Sequence, residues 1–226
     1  MKQNRLLSLI TDADKRRKVE DLMEEHASLA CLGLKAKGTT KISWLHQLGI
    51  KSTAKMQFDF LLDEAKAEEL MQVFTRELEL NEPGNGIAFV RNIDFAISAR
   101  QALDEEEFQA YIERIKQSED TMYKKISVIV DLGLSDDVIE AAREGGARGG
   151  TILHGHGSAT SEHAKLFGFQ IVPEKEMVII LAPLAIVEPV VRAIDKRLNL
   201  KEPGNGILYV EPVSQTRGLV EENYES

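Results

Sequence analysis

The stretch Glu82-Pro83-Gly84-Asn85-Gly86-Ile87 returns unchanged as Glu202-Pro203-Gly204-Asn205-Gly206-Ile207. Each copy follows a Leu-x-Leu and precedes a short apolar run that contains a valine. A repeat over so long a spacing, with its flanks preserved, indicates a duplicated domain. In each copy the proline stiffens the entry. The two glycines permit positive φ angles and bring backbone N–H groups to the surface, as a tight turn or a bound anion requires.

Length and composition describe a globular chain of two small domains. The 226 residues are 43% hydrophobic and 29% charged, and the net charge is −9, which is typical of a folded protein. The acidic balance disfavours nucleic acid as a partner, because phosphate neutralisation needs a basic surface. The single Cys31 excludes an intrachain disulfide, and no apolar run approaches the roughly 20 residues that span a bilayer. We therefore expect a cytoplasmic protein without membrane insertion.

Hydrophobic periodicity predicts the order β-α-β-loop-β-α-turn-β in the first half. Strands are predicted at 6–10, 30–36, 56–62 and 87–90, with helices from Asp14 onward and over 65–78. Residues 37–53 show no clean period and predict a long loop. The order is that of a ferredoxin-like split β-α-β domain, an α+β fold with an antiparallel sheet.

The second half repeats this order. Strands are predicted at 125–130, 151–154, 177–181 and 208–213, with one helix from Ser135 and another ending near Leu198. Pro189 predicts that the second helix begins just before it, because the first turn needs no backbone N–H there. The triplet Glu174-Lys175-Glu176 predicts an exposed strand entry.

Residues 100–122 predict a linker that contains an amphipathic helix. Asp104 supplies its cap, and an apolar stripe follows at helical spacing: Phe108, Tyr111, Ile112 and Ile115. We expect the stripe to be buried against the first sheet or against a neighbouring subunit. The predicted organisation is a divergent first domain over 1–99, this linker, and a second domain over 123–226.

At this point the second half resembles the P-II nitrogen regulatory proteins. The run Gly204-Asn205-Gly206-Ile207-Leu208-Tyr209-Val210 is similar to the family's Gly-Asp-Gly-Lys/Arg-Ile-Phe-Val turn and strand. Gly155-His156-Gly157 resembles the family's Gly-Phe-Gly at the base of a long loop. The resemblance covers residues 123–219 and, through the internal repeat, residues 4–98. It implies two tandem PII-like domains in one chain.

The resemblance also implies a non-enzymatic signalling protein that regulates a partner enzyme or transporter in nitrogen utilisation. It implies three-fold rings of domains, hence a trimer of two-domain chains, with a small-molecule effector in each cleft between domains. The partner would be held by the loop 157–171. The positions that correspond to the family's site are Thr151, Gly155, Gly157, Gly204, Asn205 and Gly206 in the second half and Gly38, Gly84, Asn85 and Gly86 in the first.

Two departures bear on the ligand. Ile87 and Ile207 replace the family's Lys or Arg after the turn, and residues 211–215 lack the family's Arg-x-Arg. Each lost cation removes about 1–3 kcal/mol of charge-assisted hydrogen bonding to phosphate. The sequence therefore favours a less charged effector, or no ligand, over an adenine nucleotide. In the alternative interpretation, the Gly-Asn-Gly turns only connect helix to strand.

His154 and His156 form the one concentration of metal-ligand types in the sequence. On a strand the two imidazoles project from the same face, and a third ligand from His163, Glu162 or a neighbouring chain would complete a Zn²⁺ or Cu²⁺ site. That arrangement predicts an alternative function, a metal-binding trimer resembling the CutA group. In the simpler interpretation, the histidines line a cleft. No nucleophile elbow, Walker loop or Cys-His motif indicates an enzyme.

Overall fold

The computed structural model describes residues 4–26, 31–39, 52–82, 84–99, 101–117, 123–157, 165–166, 169–170 and 173–216. The chain divides into two compact units. The first holds residues 1–93, 129–135 and 152–177, and the second holds residues 94–128, 136–151 and 178–226. Three strands of the second half are cut by this division, so each contributes residues to both units.

The first half forms a four-stranded arrangement in the first unit. Strands β1 (Asn4–Asp12), β2 (Cys31–Thr39), β3 (Ser52–Asp63) and β4 (Gly86–Asn92) lie in the order β4-β1-β3-β2. The pairings β1–β3, β1–β4 and β2–β3 are all antiparallel. Helices α1 (Arg16–His26) and α2 (Glu64–Glu77) complete the half. This topology is compatible with the predicted ferredoxin-like fold.

The core of this half lies between the sheet and its helices. Buried apolar side chains from β1, β3 and both helices pack together in one cluster. The ring centroids of Phe60 on β3 and Phe74 on α2 are 5.4 Å apart, and both side chains are fully buried. The alternation along β3 is what directs Phe58, Phe60 and Leu62 into this core.

Three boundaries in this half differ from the sequence prediction. Helix α1 begins at Arg16 and not at Asp14, because Ala13–Lys15 form a 3-10 turn first. The predicted loop 37–53 is shorter at both ends, since Gly38 pairs with Thr53 and Thr39 with Ser52. The pairing of β2 with β3 therefore extends past the residues that show apolar alternation in the sequence. The remaining loop positions, including Trp44, lie outside the described residues.

The second half repeats the element order after a connecting segment. The connection contributes β5 (Phe95–Ile97) and α3 (Glu105–Gln117), and the half itself contributes β6 (Tyr123–Asp131), α4 (Ser135–Glu144), β7 (Thr151–Gly157), the short pair β8 (Lys165–Leu166) and β9 (Phe169–Gln170), β10 (Glu174–Pro183), α5 (Leu184–Leu198) and β11 (Ile207–Val213). In the second unit the order is β10-β6-β11-β5, and in the first unit β7 lies between β2 and β10. As in the first half, the first strand therefore lies between the third and the fourth.

The linker helix α3 was correctly predicted, but the surface it buries was not. Asp104 Oδ1 accepts from the Glu107 N–H at 2.9 Å, as an N-cap should, and the predicted stripe is buried. The partner is α5, together with Phe95 of β5, whose ring centroid is 5.0 Å from that of Phe108. The sequence could not show this because β5 itself was not predicted.

Pro189 lies inside α5 and not in its first turn, since the helix begins at Leu184. The prediction of a late helix start was wrong. The proline ring removes one helical hydrogen bond. The backbone of Gly145 packs directly against Pro189 and Val190, where a Cβ atom would collide. Packing of α5 on the end of α4 thus outweighs the local cost.

The two halves are also connected by strand pairing within the first unit. Strand β2 pairs antiparallel with β7 through Leu32 with Gly157 and Gly33 with His156.

None of the helices in the described ranges is both long and apolar enough to cross a membrane.

Candidate functional site

The repeated hexapeptide folds into the same turn twice. Gly84 and Gly86 have φ angles of 96° and 138°, and Gly204 and Gly206 have 94° and 125°. Each turn follows a helix that ends in a left-handed residue, Glu79 with φ 54° and Asn199 with φ 53°. The sequence repeat is therefore a structural repeat down to single backbone angles.

The asparagine at the centre of each turn ties it to the preceding helix. Asn85 Nδ2 donates to the Glu79 carbonyl at 3.0 Å. Asn205 Nδ2 donates to the carbonyls of Leu198 at 2.8 Å and Asn199 at 3.2 Å. Because these carbonyls have no partner inside the helix, each asparagine acts as a C-terminal cap. This geometry supports the connecting role of the turns.

The first copy also contacts β1 and β3. The Thr11 hydroxyl donates to the Asn85 carbonyl at 2.8 Å, and a Cβ atom on Gly86 would collide with the Ile10 carbonyl oxygen. Lys55 Nζ donates to the Gly84 carbonyl at 3.2 Å and lies 2.6 Å from Asp12 Oδ1. The sequence analysis did not single out Lys55. Its ammonium group is already paired with the Asp12 carboxylate.

At the base of the long loop, the glycines of β7 are explained by close packing. A Cβ atom on Gly155 would come within 2.8 Å of the Gly33 carbonyl oxygen and 2.9 Å of Leu34. A Cβ atom on Gly157 would meet the aliphatic stem of Lys175 at 2.7 Å. Only glycine therefore lets β7 approach β2 and lets Lys175 lie across the strand.

A cleft of about 200 Å³ opens beside these glycines in the first unit. The residues that line the cleft come from β2, from β7, from the start of β10 and from the turn before α4. They are Lys35, Leu132, His154, Gly155, His156, Glu174 and Lys175. Lys175 Nζ contacts Asp131 Oδ1. The cleft is thus mixed in charge, with two ammonium groups and two imidazoles against one lining carboxylate.

Glu176 is buried next to this cleft, which corrects the prediction of a wholly exposed strand entry. Its Oε2 accepts from the N–H groups of Gly133 at 2.9 Å and Ser135 at 3.1 Å, and its Oε1 lies 3.5 Å from His154 Nδ1. Burial alone would raise the pKa of Glu176. These hydrogen bonds, that of the Ser135 hydroxyl and the nearby His154 outweigh burial and hold the pKa below its usual value.

The two histidines of β7 differ in environment. The His154 side chain is 71% exposed, whereas His156 is half-buried and its Nδ1 is buried without a hydrogen-bond partner among the described residues. His156 lines both the cleft and a small cavity of about 10 Å³ formed with α1 and β3. A lining role is the simpler interpretation of this pair.

The metal alternative needs a third ligand. Within the part of the chain that the structure describes, no three side chains of His, Cys, Asp or Glu come together in a manner that would hold a metal. His163 and Glu162 lie outside those residues. The metal site therefore stays a prediction that depends on them or on a neighbouring chain.

The predicted effector positions fall into separate groups. Gly155 lines the cleft beside the predicted metal ligands His154 and His156. Gly157 follows at the end of β7, and Thr151 is exposed at its start. Gly38 pairs with Thr53 near the end of β2, and the two Gly-Asn-Gly sets form the turns described above. Most of the loop 157–171 lies outside the described residues.

Sequence reasoning missed the lysines of the cleft. Lys35 lies on β2, opposite Met56 on β3, and Lys175 lies on β10. Exposed lysines on the alternation of β2 were a usable signal for Lys35. Nothing local indicated that the pairing of β2 with β7 would bring it beside the histidines.

Comparison with known proteins finds a match in the second half. Residues 123–222 match the family model described as nitrogen regulatory protein P-II. The second half is therefore similar to the P-II nitrogen regulatory proteins. No curated protein matches the chain.

Two solved structures were also compared. A protein of unknown function from Galdieria sulphuraria is 12% identical, with 93% of this chain and 98% of that chain covered and a TM-score of 0.27. A chlorite dismutase mutant from Candidatus Nitrospira defluvii is 9% identical, with 92% and 90% covered and a TM-score of 0.22. Both TM-scores are too low for either likeness to indicate a shared fold.

Proposed function

We propose that this chain is a P-II-like regulator that binds a small effector in the cleft beside β7. The observation that carries the proposal is the coincidence of the P-II match over residues 123–222 with a cleft at the base of that domain's long loop. Proteins of this family act as regulators and not as enzymes, so the proposed activity is signalling. The tandem repeat extends the proposal to a first, divergent PII-like domain.

The size and charge of the cleft favour a small acidic effector. Its volume of about 200 Å³ is below the roughly 300–1,000 Å³ that drug-sized ligands occupy. Lys35 and Lys175 line it, but Lys175 is already paired with Asp131. Within the described part of the chain Lys35 has no carboxylate partner, and one such cation suits a carboxylate better than a triphosphate. This agrees with the isoleucines that replace the family's cations after each turn.

The regulatory readout is proposed to follow the family. The loop 157–171 leaves the cleft at Gly157 and would contact a partner enzyme or transporter of nitrogen utilisation in the cytoplasm. Three chains would supply six domains and close two three-fold rings, so the proposed assembly is a trimer. Light scattering that returned only a single chain would contradict the trimer.

A thermal-shift panel tests the effector site. We expect a small carboxylate such as 2-oxoglutarate or bicarbonate to raise the Tm, because a ligand that binds the native state stabilises it by mass action. At a hundredfold excess over Kd the expected rise is about 5–10 °C. ATP and ADP serve as the competing ligands in the same panel.

Two lysine variants locate the effect. Lys35→Ala should abolish the shift, whereas Lys37→Ala should retain it, because Lys37 is exposed on the same strand and is not among the residues that line the cleft. If Lys35→Ala responds like the wild type, or if only nucleotides raise the Tm, the proposed effector site is wrong.

A further inference from the structure

Two thioether side chains and an imidazole line the small cavity between α1 and the sheet of the first unit. Met23 comes from α1, Met56 from β3 and His156 from β7, and the cavity they share has a volume of about 10 Å³. The two methionines are buried, at 5% and 4% exposure. Residues that are far apart in the sequence thus bring two sulfur atoms and a ring nitrogen to one place in the interior.

The space for this cavity exists because residue 33 is a glycine. Gly33 pairs with Phe58 on β3 and with His156 on β7. A Cβ atom on Gly33 would lie 3.3 Å from Met56 Cε and 3.4 Å from Phe58 Cε1, and Phe58 packs in the core cluster that includes α1. Because directly paired residues of an antiparallel ladder share one face of the sheet, His156 lies on the same side as Met56.

The ring of His156 carries a nitrogen that needs a partner. Its Nδ1 is buried and has no hydrogen-bond partner among the described residues. Buried polar atoms of native proteins are almost always paired, and a metal ion is a common partner of an imidazole nitrogen. This nitrogen therefore indicates an occupant of the cavity that the surrounding side chains do not supply.

The charges around the cavity favour a monovalent ion. Arg16 and Glu20 also line it, and Arg16 Nε donates to Glu20 Oε1 at 2.7 Å. Two thioethers and an imidazole are neutral ligands, and a carboxylate that is shared with a guanidinium offsets little of the charge of a buried divalent ion.

The donor types and the volume narrow the choice further. Thioether sulfur is a soft ligand that selects Cu(I), whereas Mg²⁺ and Ca²⁺ prefer oxygen. A volume of about 10 Å³ is that of a single water-sized sphere. The cavity therefore suits one ion that has lost its hydration shell.

We propose that this cavity is a Cu(I) site with Met23, Met56 and His156 as its ligands. The site differs from the pair formed by the exposed His154 and His156, since all three ligands belong to the described residues and two of them are sulfur donors. The ion is bound and not oxidised or reduced. The inference goes beyond the regulatory function and does not depend on effector binding.

Competition with the coloured Cu(I) chelator bicinchoninate, in the presence of ascorbate, measures the affinity of the full chain. We expect the wild type to withdraw one Cu(I) per chain. Met23→Leu and Met56→Leu should each lower the affinity by more than about tenfold, because loss of even an outer partner of a metal ligand costs about 10–100-fold.

Leucine conserves the volume of methionine, so both variants should remain folded, which circular dichroism checks. The matched control is Met71→Leu, which alters a partly buried methionine of α2 that packs against the same core. It should bind Cu(I) like the wild type. Equal affinities of the wild type and the two cavity variants would overturn the proposal.

Methyl NMR locates the ion independently of the variants. In the full chain labelled at the methionine ε-methyl carbons, one equivalent of Ag⁺, a redox-inert substitute for Cu(I), should shift the resonances of Met23 and Met56 and leave that of Met71 in place. A cavity that holds only water, or methionines that only fill the core, would give no shift, and that result would overturn the site.

Two further measurements exclude other ligands. Cys31→Ser removes the single thiol of the chain and should retain Cu(I) binding. Its loss in this variant would show that the thiol holds the ion and would contradict the assignment. A large excess of Zn²⁺ should leave Cu(I) in place, because thioethers are poor ligands for harder ions. Displacement by Zn²⁺ would show that the soft donors are not the ligands.

Discussion

The side-chain amide of Asn205 donates a 2.8 Å hydrogen bond to the carbonyl oxygen of Leu198, the last residue of α5. Asn85 donates to the Glu79 carbonyl just after α2, a bond that corresponds to the 3.2 Å bond of Asn205 to the Asn199 carbonyl. In both halves the side-chain amide of the hexapeptide's asparagine is therefore hydrogen-bonded to the end of the preceding helix.

Asn205→Ala should lower the free energy of unfolding by about 1 kcal/mol, because a helix-end carbonyl loses its donor. Asn85→Ala should cost less, because the Glu79 carbonyl keeps the Glu82 N–H as a donor at 2.9 Å. Chemical denaturation measures both. Glu202→Ala, an exposed change in the same turn, is the control and should stay within about 0.5 kcal/mol of the wild type. Equal stabilities for all the variants would show that the asparagines are not caps.

Arg192→Ala should loosen α3 from α5. Arg192 Nη1 donates to Glu105 Oε2 at 3.0 Å, its Nε donates to Glu188 at 3.2 Å, and its guanidinium lies 5.1 Å from the Phe108 ring centroid. We expect a lower Tm and faster amide exchange in α3. Lys196→Ala, an exposed change on the same helix, should alter neither.

The Arg192 effect should depend on pH. The pKa of Glu105 is lowered from its ordinary 4.5 by hydrogen bonds first from Arg192 and then from Gln109. The pKa of Glu188 is lowered from the same ordinary value, mainly by the hydrogen bond from Gln109 and also by Arg192. A lowered folded-state pKa gives stability that is present above the ordinary pKa and is lost as the pH falls through the folded value. The Tm difference between the wild type and Arg192→Ala should therefore shrink below pH 4.5. A constant difference would exclude the ion pairs as its cause.

Asp94→Asn should destabilise the second unit. Asp94 Oδ2 lies 2.7 Å from Nζ of the buried Lys124. Removing one member of a buried ion pair leaves the other charge without compensation, at a cost of about 3 kcal/mol. Tyr111→Phe is the control, since it removes only a 3.5 Å contact to the same carboxylate. Denaturant unfolding that ranks the two variants equally would contradict this role of the pair.

Glu176→Gln should weaken the start of α4 by about 2 kcal/mol at neutral pH, because the charged acceptor of the Gly133 and Ser135 N–H groups is lost. The pKa of Glu176 is lowered, so the stability it adds is present above the ordinary value and is lost as the pH falls through the folded value. Wild type and variant should converge in acid. Glu174→Gln, an exposed change on the same strand, should follow the wild type at every pH.

The metal alternative has its own measurement. Equilibrium dialysis with Zn²⁺ compares the wild type with a His154→Ala, His156→Ala variant. The CutA-like interpretation predicts tighter binding by the wild type, since imidazole nitrogens are Zn²⁺ ligands. Equal binding would eliminate it.

Local patterns were sufficient for most of the fold. Apolar alternation located β3, the i, i+3, i+4 stripe located α3, and the residues 123–222 that resemble the P-II family match its model. The misses arise where tertiary contacts decide. Phe95–Ile97 is too short to show a period and is a strand because β11 pairs with it. Pro189 lies inside α5, where the backbone of Gly145 packs against Pro189 and Val190, and the sequence pattern did not predict that contact.

The candidate site was less accessible to prediction. The histidines and glycines of β7 could be read from their types and spacing, as could the repeated turns. The alternation of β2 could indicate that Lys35 is exposed but not that it reaches the cleft, because the pairing of β2 with β7 joins residues far apart in sequence. Glu176 was misplaced because a charged triplet at a strand start is usually exposed, whereas the N–H groups before α4 draw this one inward.

The pairing of Gly33 with His156 gives the cleft a mechanical connection to the first half. His156 lines the cleft, and its backbone belongs to the same hydrogen-bonded ladder as β2. The backbone of β2 also approaches Gly155 so closely that a Cβ atom there would collide with the Gly33 carbonyl. Under the proposed function, an effector that displaced β7 would therefore also act on β2, so that the first half would respond to a ligand bound beside the second.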